Sequence, residues 1–186
     1  MASQDQLIEV VNIIGSLVRS AHLKRVLSAL DPNPPLNFWR VMHGNLLDIA
    51  VLEWCKLFGS DDEEHQKTHW KNVVADRDAF RAELLRTLGI DTKAWESYWK
   101  EMKAYRDQYL VHRDFSKSDV TKFPRLDLAL ESSCVYYGYV IAELRKQKVA
   151  RYPDDLRAYG KAFADQAKAI GEKALEATRD LKERVY

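Results

Sequence analysis

The sequence predicts an all-α protein, a bundle of four principal helices with a C-terminal helical extension. Three observations carry this. Apolar residues recur at intervals of three and four along most of the chain, and no segment alternates at the two-residue period of a half-buried strand. The five prolines (Pro32, Pro34, Pro35, Pro124 and Pro153) all fall between periodic segments, where a helix has to stop. The composition, 46% hydrophobic and 31% charged with seven glycines, is that of a helix-rich globular chain.

Taken in order, Leu7, Val10, Val11, Ile14, Leu17, Val18, Ala21 and Leu27 define a first helix, and Ser3 with Gln6 has the spacing of a capping box. Asp31-Pro32-Asn33-Pro34-Pro35 ends it. A second helix is expected from about Leu36 to Phe58, with Trp39, Met42, Leu46, Ile49, Ala50 and Trp54 on its apolar side. The polar run Gly59-Ser60-Asp61-Asp62-Glu63 closes it, and a short helix is expected over His65–Val74. Phe80, Leu84, Leu85 and Leu88 mark the next, closed by Gly89, and Asp91 or Thr92 is placed to cap the helix after it.

That helix is dense in aromatics. One seam runs through Tyr98, Met102, Tyr105, Tyr109 and His112, and a second through Trp95, Trp99, Met102, Arg106 and Leu110. A polar loop from Asp114 to Phe123 then leads through Pro124 into an apolar helix containing Cys134, Val135, Tyr137, Val140, Ile141 and Leu144. After Tyr152-Pro153-Asp154 the final helix carries Leu156, Phe163, Ile170 and Ala177 at one heptad position and Gly160, Ala167, Ala174 and Leu181 at another. The second set is small enough to let another helix approach closely. With 186 residues there is material for one main core, so residues 1–150 are expected to form the bundle and residues 151–186 a helix packing on it or on a partner.

Charge and cysteine usage narrow the function. Twenty-nine Lys and Arg against 28 Asp and Glu leave a net charge of +1, so no global field draws the protein to nucleic acid or an anionic membrane, and any such contact needs a local patch. Cys55 and Cys134 lie far apart, each in an apolar helical stretch, and are expected to be buried and reduced. Met1–Gln6 has no basic stretch with an apolar core behind it, and the most apolar stretch, Leu126 to Leu144, carries Asp127, Glu131 and Glu143. A cytoplasmic protein with no membrane association is the expectation.

The residues with chemistry to offer sit at the end of the aromatic helix, in Arg106-Asp107-Gln108-Tyr109-Leu110-Val111-His112. An imidazole titrates near neutral pH and can take or give a proton, which suits His112 to general acid–base work. Arg106 offers a permanently charged planar fork that matches phosphate oxygens. Six residues at about 100° each put the two roughly 120° apart on an ideal helix, so they cannot share a face of a straight one. Either the helix unwinds near His112 or a second subunit completes the pair.

An Arg followed by a polar residue, four to six residues in all and then a His at the end of a long helix resembles the signature of the HEPN superfamily. Arg106, Asp107 and His112 match that short pattern fully. The run Tyr105–Asp114, the tryptophan-rich helix before it, Trp54-Cys55-Lys56-Leu57-Phe58-Gly59-Ser60 and His69-Trp70 are similar to the AbiU-type abortive-infection branch, so the resemblance spans roughly Phe38 to Leu144. It implies a HEPN-type bundle acting as a metal-independent endoribonuclease, a toxin-like or phage-defence enzyme that needs no cofactor. It also implies a homodimer in which Arg106 and His112 of both subunits line one cleft. Some relatives have a nucleotidyltransferase-type antitoxin partner.

Asp107 is given a supporting role, orienting His112 or Arg106 or bonding to backbone. Tyr109 is placed either to stack on a base or donate to phosphate, or simply in the core. Arg113 and Lys117, with Lys122 and Arg125, are candidates for the local basic patch on RNA, although a solvated loop has the same letters. The competing reading of the motif is structural, with Arg106 in an ion pair and His112 ending a helix favourably. A HEPN module that binds RNA or a partner protein without catalysis is the alternative function. His65 and His69, four apart beside Glu63 and Glu64, have the spacing of two metal ligands but no third, so no metal is expected; His43 and Asp48 read as helix-face polarity. There is no Gly-rich phosphate loop, nucleophile elbow or H-E-x-x-H helix.

Overall fold

A computed structural model describes residues 2–61, 67–111 and 123–183. The chain is all-α, with no strand among the described residues. The helices are α1 (Gln4–Leu30), α2 (Asn37–Phe58), α3 (Trp70–Val73), α4 (Arg77–Leu88) and α5 (Thr92–Tyr105), then a π-helical segment (Arg106–Val111), α6 (Asp127–Lys146) and α7 (Leu156–Thr178). His65, with Asp62, Glu63 and Glu64, lies outside the described residues; of the expected His65–Val74 helix, the described part forms the single turn of α3.

α1 is the axis of the bundle. Leu7, Val10, Ile14, Leu17, Val18 and Ala21 are all at most 1% exposed, because α1 is covered by α2 on one side, α6 on another and α7 on a third. Its capping box forms by half. Ser3 Oγ accepts from the Gln6 amide at 3.2 Å, whereas the Gln6 side chain reaches to the Lys67 carbonyl instead of back to Ser3. The box thus gives up one local bond to fasten the start of α1 to the segment before α3.

α2 begins without a cap of its own, since Leu36 has no side chain that can accept a hydrogen bond. Glu183 supplies the acceptors: its carboxylate oxygens take the amides of Asn37 (2.6 Å) and Phe38 (2.9 Å), placing negative charge at the positive end of the helix dipole. Trp39, Leu46, Ala50 and Trp54 are buried as the periodicity requires, but Ile49 is 39% exposed and Met42 only partly covered, a correction to the expected apolar face. His43 and Leu47 occupy the interior side instead.

The centre of the core is aromatic. Trp54, fully buried, packs on Phe58, Trp95 and Tyr98 with ring centroids 5.4, 5.8 and 5.5 Å away, and its indole N–H donates to Ser132 Oγ on α6 at 3.0 Å. Phe58 continues the cluster to Tyr136, and Phe80 joins Tyr136 to Trp70. The polar tips find partners at the margin: Tyr98 OH donates to the Arg125 carbonyl, Tyr136 OH to that of Thr68, Tyr137 OH to that of Pro153. α4 closes against α6, capped by Asp76 at its start and by Gly89 in the left-handed conformation at its end.

α7 lies along α1. Leu156, Gly160, Ala167 and Gly171 face inward; a side-chain carbon on Gly160 would stand 2.6 Å from His22 Nε2, and one on Gly171 2.9 Å from Leu30 Cδ1. The small-residue seam therefore works as expected at Gly160 and Ala167. The other holds at Leu156 and fails further along: Ile170 is 69% exposed and Ala177 is also outside, while Gly171 is buried and Thr178 partly covered. Leu156, Ala167 and Thr178 are spaced at eleven, closer to the 3.6-residue turn of a straight helix than to a 3.5-residue heptad. Both cysteines are free, but only Cys55 is buried; Cys134 is half-covered, which corrects the expectation of two buried thiols. Among the described residues no helix is long and apolar enough to cross a membrane.

Candidate functional site at the end of α5

α5 starts with Asp91, whose side chain accepts from the Ala94 amide at 2.7 Å, and buries Trp95, Tyr98, Met102 and Tyr105 on one face. Trp99, on the flank, donates its indole N–H to the Phe58 and Gly59 carbonyls (2.7 and 3.0 Å), satisfying oxygens that the end of α2 leaves without helical partners. A β-carbon on Gly59 would lie 2.4 Å from the Cys55 carbonyl oxygen, so this close junction admits only glycine.

At Arg106 the backbone widens into a π-helical segment that runs to Val111. The switch from i→i+4 to i→i+5 bonding opens the helix at the residue where the motif begins, and π turns, mostly single-turn bulges in α-helices, are frequent at functional sites. Arg106 and Asp107 become a tight pair here: Arg106 Nε and Nη2 both reach Asp107 Oδ1, at 2.7 and 2.6 Å, with the Arg106 side chain 21% exposed and that of Asp107 42%. Two of the five guanidinium donors are thereby held on the carboxylate.

The neighbouring contacts tie this segment to α2. Tyr105 OH donates to Asp48 Oδ1 at 2.8 Å, and burial, reinforced by that carboxylate, pushes the phenol's pKa up, so it remains a donor at all physiological pH. Tyr109 is half-buried with its ring 5.4 Å from that of Tyr105, and the Phe123 ring lies 6.4 Å from that of Tyr105. Burial pushes the Cys55 thiol up to about 12, with Arg106 opposing, so Cys55 is not a nucleophile at neutral pH.

Of the residues expected to form the site, Arg106, Asp107 and Tyr109 are brought together on the widened turn. His112, Arg113, Lys117 and Lys122 lie outside the described residues. Arg125 is described, 3.0 Å from Asp127 at the entrance to α6. Asp48, read from the sequence as helix-face polarity, is a direct neighbour of the motif through Tyr105, a contact across 57 positions with no local signal.

His69 has a defined structural task. It is 1% exposed, its Nδ1 accepts from the Lys71 amide at 3.3 Å to cap α3, and burial pushes its pKa down to about 4, opposed by Asp61. Among the described residues no group of three or more His, Cys, Asp or Glu is arranged to hold a metal ion.

No protein-family model matches this chain, and neither a curated protein nor a solved structure is significantly similar to it.

Proposed function

We propose that the protein is a HEPN-type, metal-independent endoribonuclease with Arg106 and His112 as its catalytic pair, acting in a toxin-like or phage-defence role. The observation that carries the reading is the π-helical turn that begins at Arg106. Segments of this kind are frequent at functional sites, and this one spans the motif from Arg106 to Val111 and carries the Arg106–Asp107 pair.

The chemistry asks little of the protein. His112 takes the proton of a ribose 2′-hydroxyl; the 2′-oxygen bonds to the adjacent phosphorus, the bond to the 5′-oxygen breaks, and that oxygen takes up a proton as it leaves. The products are a 2′,3′-cyclic phosphate and a 5′-hydroxyl. Arg106 meets the charge that gathers on the phosphoryl oxygens, and Asp107 holds its guanidinium in place from one edge. Tyr109 borders the same turn as a stacking surface.

A homodimer is part of the proposal. Phe38, Val41 and Ile49, 58, 57 and 39% exposed, fall within an arc of roughly 80° on α2 and form an apolar strip next to the side on which Asp48 and Cys55 meet the end of α5. A second copy packed on this strip brings two motifs to one interface.

Purified protein is expected to cut single-stranded RNA in the presence of a chelator and leave cyclic-phosphate ends. His112→Ala should slow this by about 10²–10⁴-fold with an unchanged circular dichroism spectrum. Undiminished cleavage by that variant sinks the assignment; RNA binding with no cleavage by either protein leaves the non-catalytic binding module.

A further inference from the structure

A groove of about 540 Å³ opens between the second half of α1, the proline-rich segment after it, the first half of α2 and the entrance to α6. Its charge is unlike that of the chain. Against a net charge of +1 for the whole sequence, the described residues of the groove include Lys24, Arg25, Arg40 and Arg125 against one carboxylate, Asp127. Arg25 and Arg125 converge on Asp127 from opposite elements at 2.6 and 3.0 Å.

Lys24 and Arg40 are committed only to neutral oxygens: Lys24 Nζ donates to Ser28 Oγ at 2.8 Å and Arg40 Nε to the Pro34 carbonyl at 2.9 Å, and neither forms an ion pair among the described residues. Among the described residues, these contacts leave both cations without a counter-ion. The apolar share of the lining includes Phe123, 60% exposed, with Pro124 and Leu47. Phe123 is also the ring that meets Tyr105 at the start of the motif, so the groove and the end of α5 adjoin across one aromatic contact.

We propose that this groove binds single-stranded RNA, with backbone phosphate on Lys24 and Arg40 and a base stacked on Phe123, and that it leads the strand to the motif. Basic residues that track a backbone, joined to an exposed aromatic face, are how single strands are held without sequence preference. The groove's volume suits about one small ligand, and its continuity with the motif is what favours a strand over a free nucleotide. The inference rests on the ribonuclease reading for its direction, and its test does not require cleavage.

The probe is a fluorescent 2′-O-methyl oligoribonucleotide, which has no free 2′-hydroxyl and cannot be cut, bound to the full chain across a salt series. Lys24→Gln with Arg40→Gln should weaken binding at least tenfold and flatten the slope of log affinity against log salt by about 1.4, at about 0.7 per phosphate contact on a single strand. Phe123→Ser should weaken it about tenfold with the slope unchanged. Lys161→Gln, on the exposed face of α7, should change neither. Wild-type binding by the double variant, or an equal loss from Lys161→Gln, overturns the groove; so does AMP that competes as strongly as the oligomer, which would make it a mononucleotide site. Loss of cleavage in His112→Ala with unaltered oligomer binding supports both readings, and cleavage that survives His112→Ala removes the catalytic assignment alone.

Discussion

Helix α5 and the six residues that follow it are one continuous helical run built to two standards. Up to Tyr105 the backbone is regular, Trp95, Tyr98 and Met102 are enclosed, and Trp99 donates to carbonyls at the end of α2. From Arg106 the turn widens, every described side chain is partly exposed, and a charged pair appears beside the one remaining ring of the segment, Tyr109. A helix can carry an irregular, polar end only if the packed part over-determines its position. The first region therefore provides stability, and the second is the part free to be shaped by function.

The comparison breaks first at Trp54. Trp54→Ala removes the ring shared by Phe58, Trp95 and Tyr98 and leaves Ser132 without its donor, and should cost about 4 kcal/mol in denaturant unfolding. Cleavage per folded molecule should be little changed; a large loss of it would mean that the core shapes the motif directly.

Acid should act next, again on the packed part. His69 has a folded-state pKa near 4 against 6.5 when exposed, so the unfolded chain binds the proton more readily. Its contribution is whole above pH 6.5 and is lost as pH falls from there toward 4, about 3 kcal/mol in all. His69→Asn, which keeps an acceptor for the Lys71 amide, should flatten that part of the stability–pH curve. An unaltered curve assigns the acid sensitivity to other groups.

The smallest effect sharpens the boundary itself. Tyr105→Phe deletes the hydroxyl that joins α5 to Asp48 and should cost about 1.5 kcal/mol, as a hydrogen bond to a charged acceptor does. Amide exchange should quicken over residues 106–111 before it does over 92–105. Uniform quickening would show that the two regions open as one.

Much of the packed region was legible in the letters, because it depends on local rules. The periodicity of α1, the stop at Asp31-Pro32, the cap at Asp91 and the left-handed Gly89 each follow from residues within a turn or two. The failures are where distant residues override those rules. Ile49 has the spacing of a core residue, yet it is left 39% exposed; Gln6 leaves its capping box for Lys67; Ile170 gives way to Gly171 because a straight helix drifts off a heptad. At the site the motif's letters are plain, but nothing in them signals the π-helical segment over Arg106–Val111, and the unwinding expected near His112 falls outside the described residues. The basic surface was sought among neighbours in sequence, Arg113, Lys117, Lys122 and Arg125. Of that set only Arg125 is described; it lines the groove together with Lys24, Arg25 and Arg40, from helices about a hundred positions away.

The carboxylate of Glu183 on the first amides of α2 has a kinetic meaning. A cap supplied across 146 positions has the longest loop to close of any described hydrogen bond, and nothing local stands in for it. Until α7 has docked along α1 and carried residue 183 into reach, the first amides of α2 lack this acceptor, and the opening turn is expected to fray. Arg40 and His43 stand just inside that turn, so the groove would be among the last features to mature, and a folding intermediate with α1 and α6 already paired would not yet present it.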